Sequence, residues 1–542
     1  MSISPYSGAE LKLSSVHFLV GKTVSGLLNL GILLWLVRLL AVEEYGAYVA
    51  LVAGAELVLV ITSLGLPWVA ARYLPEFRVH ANGKQLAQFA WQVITRAFLF
   101  AVLGALLLFI AMPWLLIPMK LGQQIDVARL YLLVLVLEGL RRNIQESILE
   151  PLLQQGQAQF SQVVRNLVLL LCLGVITVQE AVDLHHVVLA ELAGTILGTA
   201  SALRGLNRYL RTHRNLPAKD GWQPPNWPDM WRTARHMYFS CLVNMTYSQP
   251  TFIFLTQRFM GVEATALFGF LLNLYGQVAR YLPANLLFGL IRPKLIASYV
   301  GEGGMPQLMR NANLVGKMSL FVLMPLLIFA WLTRGELLSL LSGGKFTQSG
   351  YYLGGMLLML IPLSQRQILE TVAVACGQSH LCFWGSSLGV LTLPLAYWLL
   401  KSGQGLWSPI LAMIVGQIVF NTTLITALRL STTYRPDKVG FFKVMAAAFM
   451  GFVLVILAQM IWVGLFQPRV NGFVGSLKNV QTIASEFLAQ QIAAPIHGWL
   501  DLTILAAMAF SLFLLTAYFF KPFRTEERTR LNRLLNRNIF VW

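Results

Sequence analysis

The feature that most constrains this chain is a short polar turn, Arg38-Leu-Leu-Ala-Val-Glu-Glu-Tyr-Gly-Ala-Tyr48, set between long apolar runs at roughly 13–40 and 46–73. A helix needs ~20 apolar residues to cross a bilayer, and each run is longer than that. The turn therefore joins two membrane-spanning helices. It is echoed at Arg258-Phe-Met-Gly-Val-Glu-Ala-Thr-Ala-Leu-Phe268, which aligns Arg38 with Arg258, Val42 with Val262, Glu43 with Glu263 and Tyr48 with Phe268. The same offset carries Arg72, after the first hairpin, onto Arg292. In the echo, Thr265 and Ala266 stand where the first copy has Tyr45 and Gly46. A hairpin that recurs with both ends in register predicts a two-lobed membrane bundle.

Apolar runs at 86–117, 127–153, 160–178 and 187–203 complete six spans, and a hydrophilic segment with Pro217, Pro224, Pro225 and Pro228 follows. Six more runs lie at 236–257, 264–291, 308–332, 352–375, 381–400 and 406–428, with two further ones at 441–466 and 499–520. The predicted fold class is an all-α polytopic membrane protein of about fourteen transmembrane helices, in two pseudo-symmetric six-helix lobes plus two C-terminal helices. The corresponding domains are an N-terminal lobe at 1–210, a cytoplasmic linker at 211–235, a C-terminal lobe at 236–430, and 431–542 with the two extra helices and a basic amphipathic tail. An even number of spans per lobe inserts both lobes the same way, so the repeat axis runs along the membrane normal. Prolines within spans, Pro67, Pro250, Pro283, Pro325, Pro362 and Pro394, predict bends or breaks.

Only 12% of residues are charged, against about 25% in soluble proteins. The net charge of +18 resides in short loops beside spans. That pattern is the positive-inside bias, and it excludes a nucleic-acid surface. Basic loops follow the second, sixth, eighth and twelfth spans, for instance Arg72, Arg78 and Lys84, whereas the opposite face carries Glu43, Glu44, Glu180 and Asp183. The basic face is expected to be cytoplasmic, with both termini on it. Cys172, Cys241, Cys376 and Cys382 fall in or beside spans with neither metal-site nor disulfide spacing. The first apolar run is too long for a cleavable signal. Residues 467–497 read as an extracytoplasmic insertion, and the Arg-rich tail from Lys521 as an amphipathic helix on the inner leaflet.

Gly21-Lys-Thr-Val-Ser25, Leu28-Asn-Leu30, the 38–48 turn and Gly65-Leu-Pro67 through Arg72-Tyr-Leu-Pro-Glu76 together resemble the opening of the polysaccharide-transport, or oligosaccharide-lipid, flippases. These are a branch of the multidrug/oligosaccharidyl-lipid/polysaccharide exporter superfamily. The motif match covers about the first 76 residues; the rest agrees in span pattern. The resemblance implies a non-enzymatic, multi-pass protein of the bacterial inner membrane. It would move a polyprenyl-pyrophosphate-linked oligosaccharide across that membrane by alternating access, among membrane lipids and beside glycan polymerase machinery. No cofactor is implied beyond coupling to a Na⁺ or H⁺ gradient.

An ionisable side chain well inside a span is costly and marks a functional candidate. Lys22, Arg96 and Arg280 are such cations, suited to hold a lipid pyrophosphate if they face a wet cleft. The alternative is that they snorkel to the interface. Glu56, Glu138 and Glu191 are the corresponding acids and candidates for ion coupling, although Arg142, at i+4, can neutralise Glu138. Arg141, Arg142, Glu146 and Glu150 read as a solvated helix end, with lining of the cleft entrance as the alternative. Arg38 and Arg258 read as structural caps, and Asn29, Asn244, Asn273 and Gln277 as interhelical glue or sugar contacts. Two other function classes fit parts of the pattern. A cation-coupled exporter of drugs or amphiphiles would carry a compact acidic site. A polysaccharide polymerase or ligase would need an acid/base constellation in a large loop, which 467–497 does not supply. The absence of a P-loop disfavours direct ATP use.

Overall fold

In lipid every backbone polar group must be satisfied within its own segment, so long apolar runs fold as helix and end where proline or glycine intervenes. The computed structural model describes residues 8–179, 181–215, 217, 222–283, 304–347, 349–378, 380–466, 499–535, 538 and 540–542. Glu180, Lys219, Arg292, Lys294 and the 467–497 insertion lie outside the described residues. The described chain is all-α. Its helices are α1 (Gly8–Leu39), α2 (Val42–Thr62), α3 (Leu66–His80), α4 (Gly83–Leu116), α5 (Ile125–Arg142), α6 (Gln155–Gln179), α7 (Leu184–Thr212), α8 (Trp227–Thr246), α9 (Gln249–Met260) and α10 (Val262–Tyr281). Then come α11 (Gly304–Ser342), α12 (Gly350–Leu358), α13 (Leu360–Ala375), α14 (His380–Gly389), α15 (Thr392–Lys401), α16 (Trp407–Ser431), α17 (Lys438–Phe466), α18 (Trp499–Phe520) and α19 (Thr525–Leu535).

Eleven helical stretches among the described residues are long and apolar enough to cross a membrane. The three other expected spans take less regular forms. The fourth is α5 prolonged by a π-helix, Asn143–Leu149. The seventh divides into α8 and α9 around Tyr247 and Ser248. The eighth is α10, which ends at Tyr281, and the last part of that expected span, 284–291, lies outside the described residues.

The second span is shorter than the apolar run that encodes it. It stops at Thr62, and the chain turns through Leu64 (φ 44°) and Gly65 (φ 77°) before α3 begins with Pro67 in its first turn. Pro250, Pro362 and Pro394 likewise lie within the first three residues of α9, α13 and α15. A proline there sacrifices no helical hydrogen bond, because the first-turn N–H groups have no partner within the helix. Most of the expected kinks are thus helix starts, while Pro325 stays inside α11.

The described chain separates by contacts into two units, 1–273 with 397–409 and 274–396 with 410–542. In the first, α6 packs between α1 and α7, α5 against α4 and α7, and α3 against α4 and α8. Its core holds Val69, Leu74, Leu86, Phe89, Ile148 and Leu206. Leu106, Leu107, Ile110 and Trp114 on α4 face outward, as a lipid-facing stripe must. Lipid gives no hydrophobic drive between helices, so close approach over small residues does the work. A Cβ on Gly46 would lie 2.3 Å from the Val262 carbonyl oxygen, and one on Gly269 2.3 Å from Val49.

In the second unit the 39-residue α11 packs against α12, α13, α17 and α18. The tail is fixed to this bundle rather than held by the leaflet alone. The fully buried Lys317 ammonium of α11 pairs with Asp437 (2.9 Å) and with Glu527 of α19. The Phe321 ring meets those of Phe513, Phe523, Phe540 and Trp542 tilted or edge-on, and the Trp542 indole donates to the Leu514 carbonyl (2.9 Å).

Candidate functional site

Within the first unit, α2, α5, α8, α9, α10 and the π-helix surround a cavity of about 780 Å³. Its polar wall includes Tyr48 and Glu56 of α2, Arg142 of α5, Glu146 of the π-helix, Asn244 of α8 and Asn273 of α10. The π-helix explains part of this lining. One extra residue per turn shifts the side chains that follow, which brings Asn143, Glu146 and Ser147 onto the cavity wall after Arg142.

Behind the wall lies a charge network. Glu138 accepts from Arg141 at both carboxylate oxygens (2.6 and 2.9 Å) and from Arg142 Nε (2.9 Å), and Arg165 Nε stands 3.1 Å away. Arg165 also pairs with Glu191 (2.6 Å), and Arg142 with Glu56 (2.7 Å). Gln145 accepts from Arg141 (2.7 Å), and Asn166, itself donating to the Ser25 carbonyl, accepts from Arg165 (3.2 Å). Three arginines thus meet three glutamates, which is how ionised groups survive away from water. The Tyr48 phenol faces Glu191 from the cavity side.

Room for the network comes from α7. A Cβ on Gly198 would lie 2.9 Å from Arg165 Cβ and 3.1 Å from Arg141 Cδ, and one on Gly194 2.8 Å from the Arg165 carbonyl oxygen. Gly194 and Gly198 form a small-xxx-small step that lets α6 approach.

The three acids singled out in the sequence are therefore brought together, but only Glu56 reaches the cavity. Glu138 and Glu191 are behind it. The cations are placed elsewhere. The Lys22 ammonium lies 5.0 Å from the Phe18 ring, with Glu150 in its electrostatic reach. Arg96 stacks 3.5 Å from the Trp227 ring. Arg280 is half-buried in the last turn of α10, in the second unit. The expectation of a solvated end is corrected for Arg141, which is 2% exposed with Gly198 of α7 packed close to it, whereas Arg142 is 37% exposed at its side chain and lines the cavity. Sequence reasoning passed over Arg165, although a guanidinium six residues into an apolar run was the signal that selected Arg96. It also passed over Lys317 and Arg366. The Arg366 guanidinium pairs with Glu370 (2.8 Å) and lies over Phe420. No group of three metal-ligating side chains suited to a metal ion occurs among the described residues.

No protein-family model and no curated protein matches this sequence. Its structure is similar to that of the lipid II flippase MurJ in an inward closed conformation, at 13% identity and TM-score 0.62, over 96% of this chain and 100% of the other. It is also similar to an inward-facing multidrug resistance MATE family transporter of the MOP superfamily, at 13% identity and TM-score 0.52, over 75% and 94% of the two chains. A MATE in a bent conformation gives 14% identity and TM-score 0.53, over 79% and 95%. This chain shares the fold of these proteins. It is a multi-pass membrane protein, and these neighbours are transporters and flippases rather than enzymes.

Proposed function

We propose that this protein is a flippase that moves a polyprenyl-pyrophosphate-linked oligosaccharide across the bacterial inner membrane by alternating access, with both termini cytoplasmic. The observation that carries this reading is the length of the match. The lipid II flippase fold accounts for 96% of the chain, whereas the MATE folds leave about a fifth to a quarter of it outside. The flippase-like motifs in residues 21–76 agree, and Tyr48 from that motif lines the cavity. Asn244, Asn273, Ser248 and Gln249 offer the wall hydrogen-bonding groups for sugar hydroxyls. In this reading Glu56 binds the coupling H⁺ or Na⁺, and Glu191, paired with Arg165, stands behind it. Lys22, Arg96 and Arg280, none of which lines this cavity, remain proposed pyrophosphate contacts, each on its own unit, along the route to and from Arg142, and a glycan polymerase the proposed downstream partner.

A second reading, a cation-coupled exporter of amphiphiles, is favoured by one observation: Glu56 and Glu146 give the cavity two carboxylates against the single Arg142. Proteoliposomes separate the two. Under an imposed ion gradient, a labelled lipid-linked oligosaccharide should appear on the opposite leaflet faster than in protein-free vesicles, and Glu56→Gln should slow it at least tenfold. Efflux of a lipophilic cation without glycan movement would establish the exporter instead.

A further inference from the structure

The second unit holds another pocket, of about 830 Å³, where the end of α16, the start of α17 and the segment before α19 meet α11. Arg310, Arg429, Arg435, Lys438 and Arg524 line it, with Asp437 as its single acid. That acid is already committed. One oxygen accepts from Lys317 (2.9 Å), and the other from the Gly440 N–H (3.2 Å) and Arg524 (3.4 Å). Arg310 faces Glu526 only across 3.8 Å, with both side chains largely exposed, so that pairing neutralises little. Nε of Arg429 is buried and has no hydrogen-bond partner among the described residues. Like charges gathered in one concavity repel one another, and an anion that enters relieves them all.

The surroundings show which anion. The pocket opens where the apolar stretches of α16 (Trp407–Ser431) and α17 (Lys438–Met460) both end, the depth at which headgroups lie. Leu430 (85% exposed), Val439 (66%), Phe442 (72%) and Phe449 (70%) are apolar and uncovered. Val439, Phe442 and Phe449 follow one another at helical spacing, forming a stripe that leaves the pocket along α17. A soluble anion would use the charges and ignore the stripe. We propose that this pocket binds the phosphate-bearing headgroup of an anionic membrane phospholipid, whose acyl chains lie along the Val439–Phe449 face of α17. Guanidinium groups suit phosphate because their forked donors match its oxygens. A basic pocket at a helix end on the positively charged face is the setting in which anionic lipid headgroups bind. The site is separate from the first unit's cavity and does not rest on the transport assignment.

The test uses the full chain, purified and delipidated in detergent, with lipid binding counted by native mass spectrometry. The probes are phosphatidylglycerol, phosphatidylcholine of the same acyl chains, inorganic phosphate and glycerol phosphate. Wild type should retain phosphatidylglycerol over phosphatidylcholine. The triple variant Arg429→Gln/Arg435→Gln/Lys438→Gln should bind it roughly 100-fold more weakly, since each basic residue near a headgroup contributes about a factor of five. Equal retention of the two lipids, or unchanged phosphatidylglycerol binding in the triple variant, would overturn the proposal. Protection against heating by inorganic phosphate or glycerol phosphate as strong as that given by the lipid would overturn the lipid assignment and leave a soluble-anion site. If the triple variant does not fold, Arg435→Gln and Lys438→Gln singly decide the matter. Both side chains are exposed, and each change should weaken phosphatidylglycerol binding about fivefold.

Discussion

Replacing Glu138 by glutamine tests the charge network with almost no change of shape. The carboxylate takes donors from Arg141, Arg142 and Arg165 at 2.6–3.1 Å. Glutamine keeps one acceptor oxygen and turns an NH₂ group toward guanidinium donors. Three arginines then face only Glu56 and Glu191, and Arg141, 2% exposed, cannot reach water. Breaking a buried pair from one side costs about 3–5 kcal/mol, because the remaining charge is stranded. Glu56→Gln provides the internal comparison: Glu56 and Arg142 are 38% and 37% exposed at their side chains, and such a pair is worth about 0–1 kcal/mol. Glu138→Gln/Arg141→Gln should recover much of the loss, since Arg142–Glu56 and Arg165–Glu191 stay paired and contacting residues couple by roughly 0.5–3 kcal/mol. The assay is the thermal unfolding midpoint of all three variants in one detergent, with wild type alongside. The expected order is Glu138→Gln far below the others, the double variant between, and Glu56→Gln near wild type. The reasoning fails if Glu138→Gln melts with wild type, or if Glu56→Gln loses as much.

Three further outcomes follow from the same geometry. Gly198→Leu should lower the melting midpoint by an amount equivalent to about 1–3 kcal/mol of overpacking, because its Cβ already meets Arg165 and Arg141 below 3.2 Å; an unchanged midpoint would show that α7 shifts freely. Lys317→Met leaves Asp437 and Glu527 without their shared cation, so trypsin should cut the Arg-rich tail faster than in wild type; equal cleavage rates would show that the aromatic cluster alone holds it. Burial pushes the Asp437 carboxyl up, but Lys317, the Gly440 N–H and Arg524 together hold it below its ordinary value. A depressed carboxyl stabilises above the ordinary carboxylate pKa, about 3.9, and that contribution fades as pH falls through the lower folded value. Hydrogen exchange in α19 should therefore stay slow at pH 5 and accelerate only in more acid solution, whereas acceleration already at pH 6 would contradict the sign.

Much of the fold was legible because lipid enforces it. Apolar runs had to become helices, and their positions located most of the spans, although the second ends at Thr62, well before its run does. What escaped was whatever depends on partners far apart in the chain. Arg165 finds Glu191 26 positions on, and Lys317 finds Asp437 120 positions and Glu527 210 positions on. No local pattern declares such pairs, so Glu56, Glu138 and Glu191 were found as costly residues without being seen as one cluster. The Arg142–Glu138 pairing at i+4 was legible, and it formed. The π-helix was not, since its extra residue leaves hydropathy unchanged. The helix break at Gly65 and Pro67 was written in the chain, yet the apolar run across it read as one continuous span.

The cavity's charge fixes the sense in which an ion and an anionic cargo would be linked under the proposed transport reading. With Glu56 and Glu146 ionised, Arg142 is outnumbered at the wall and is already drawn to Glu56 and Glu138. A pyrophosphate approaching that surface is repelled. A proton or sodium ion on Glu56 removes one negative charge and frees a guanidinium donor that was held at 2.7 Å. The cation-loaded cavity is therefore the one that admits an anion. By reciprocity, an anion already bound raises the cavity's affinity for the cation by the same factor. Loading both together would also explain why Glu138 is clamped by three arginines out of reach of the cavity: it holds Arg142 in place whether or not Glu56 is occupied.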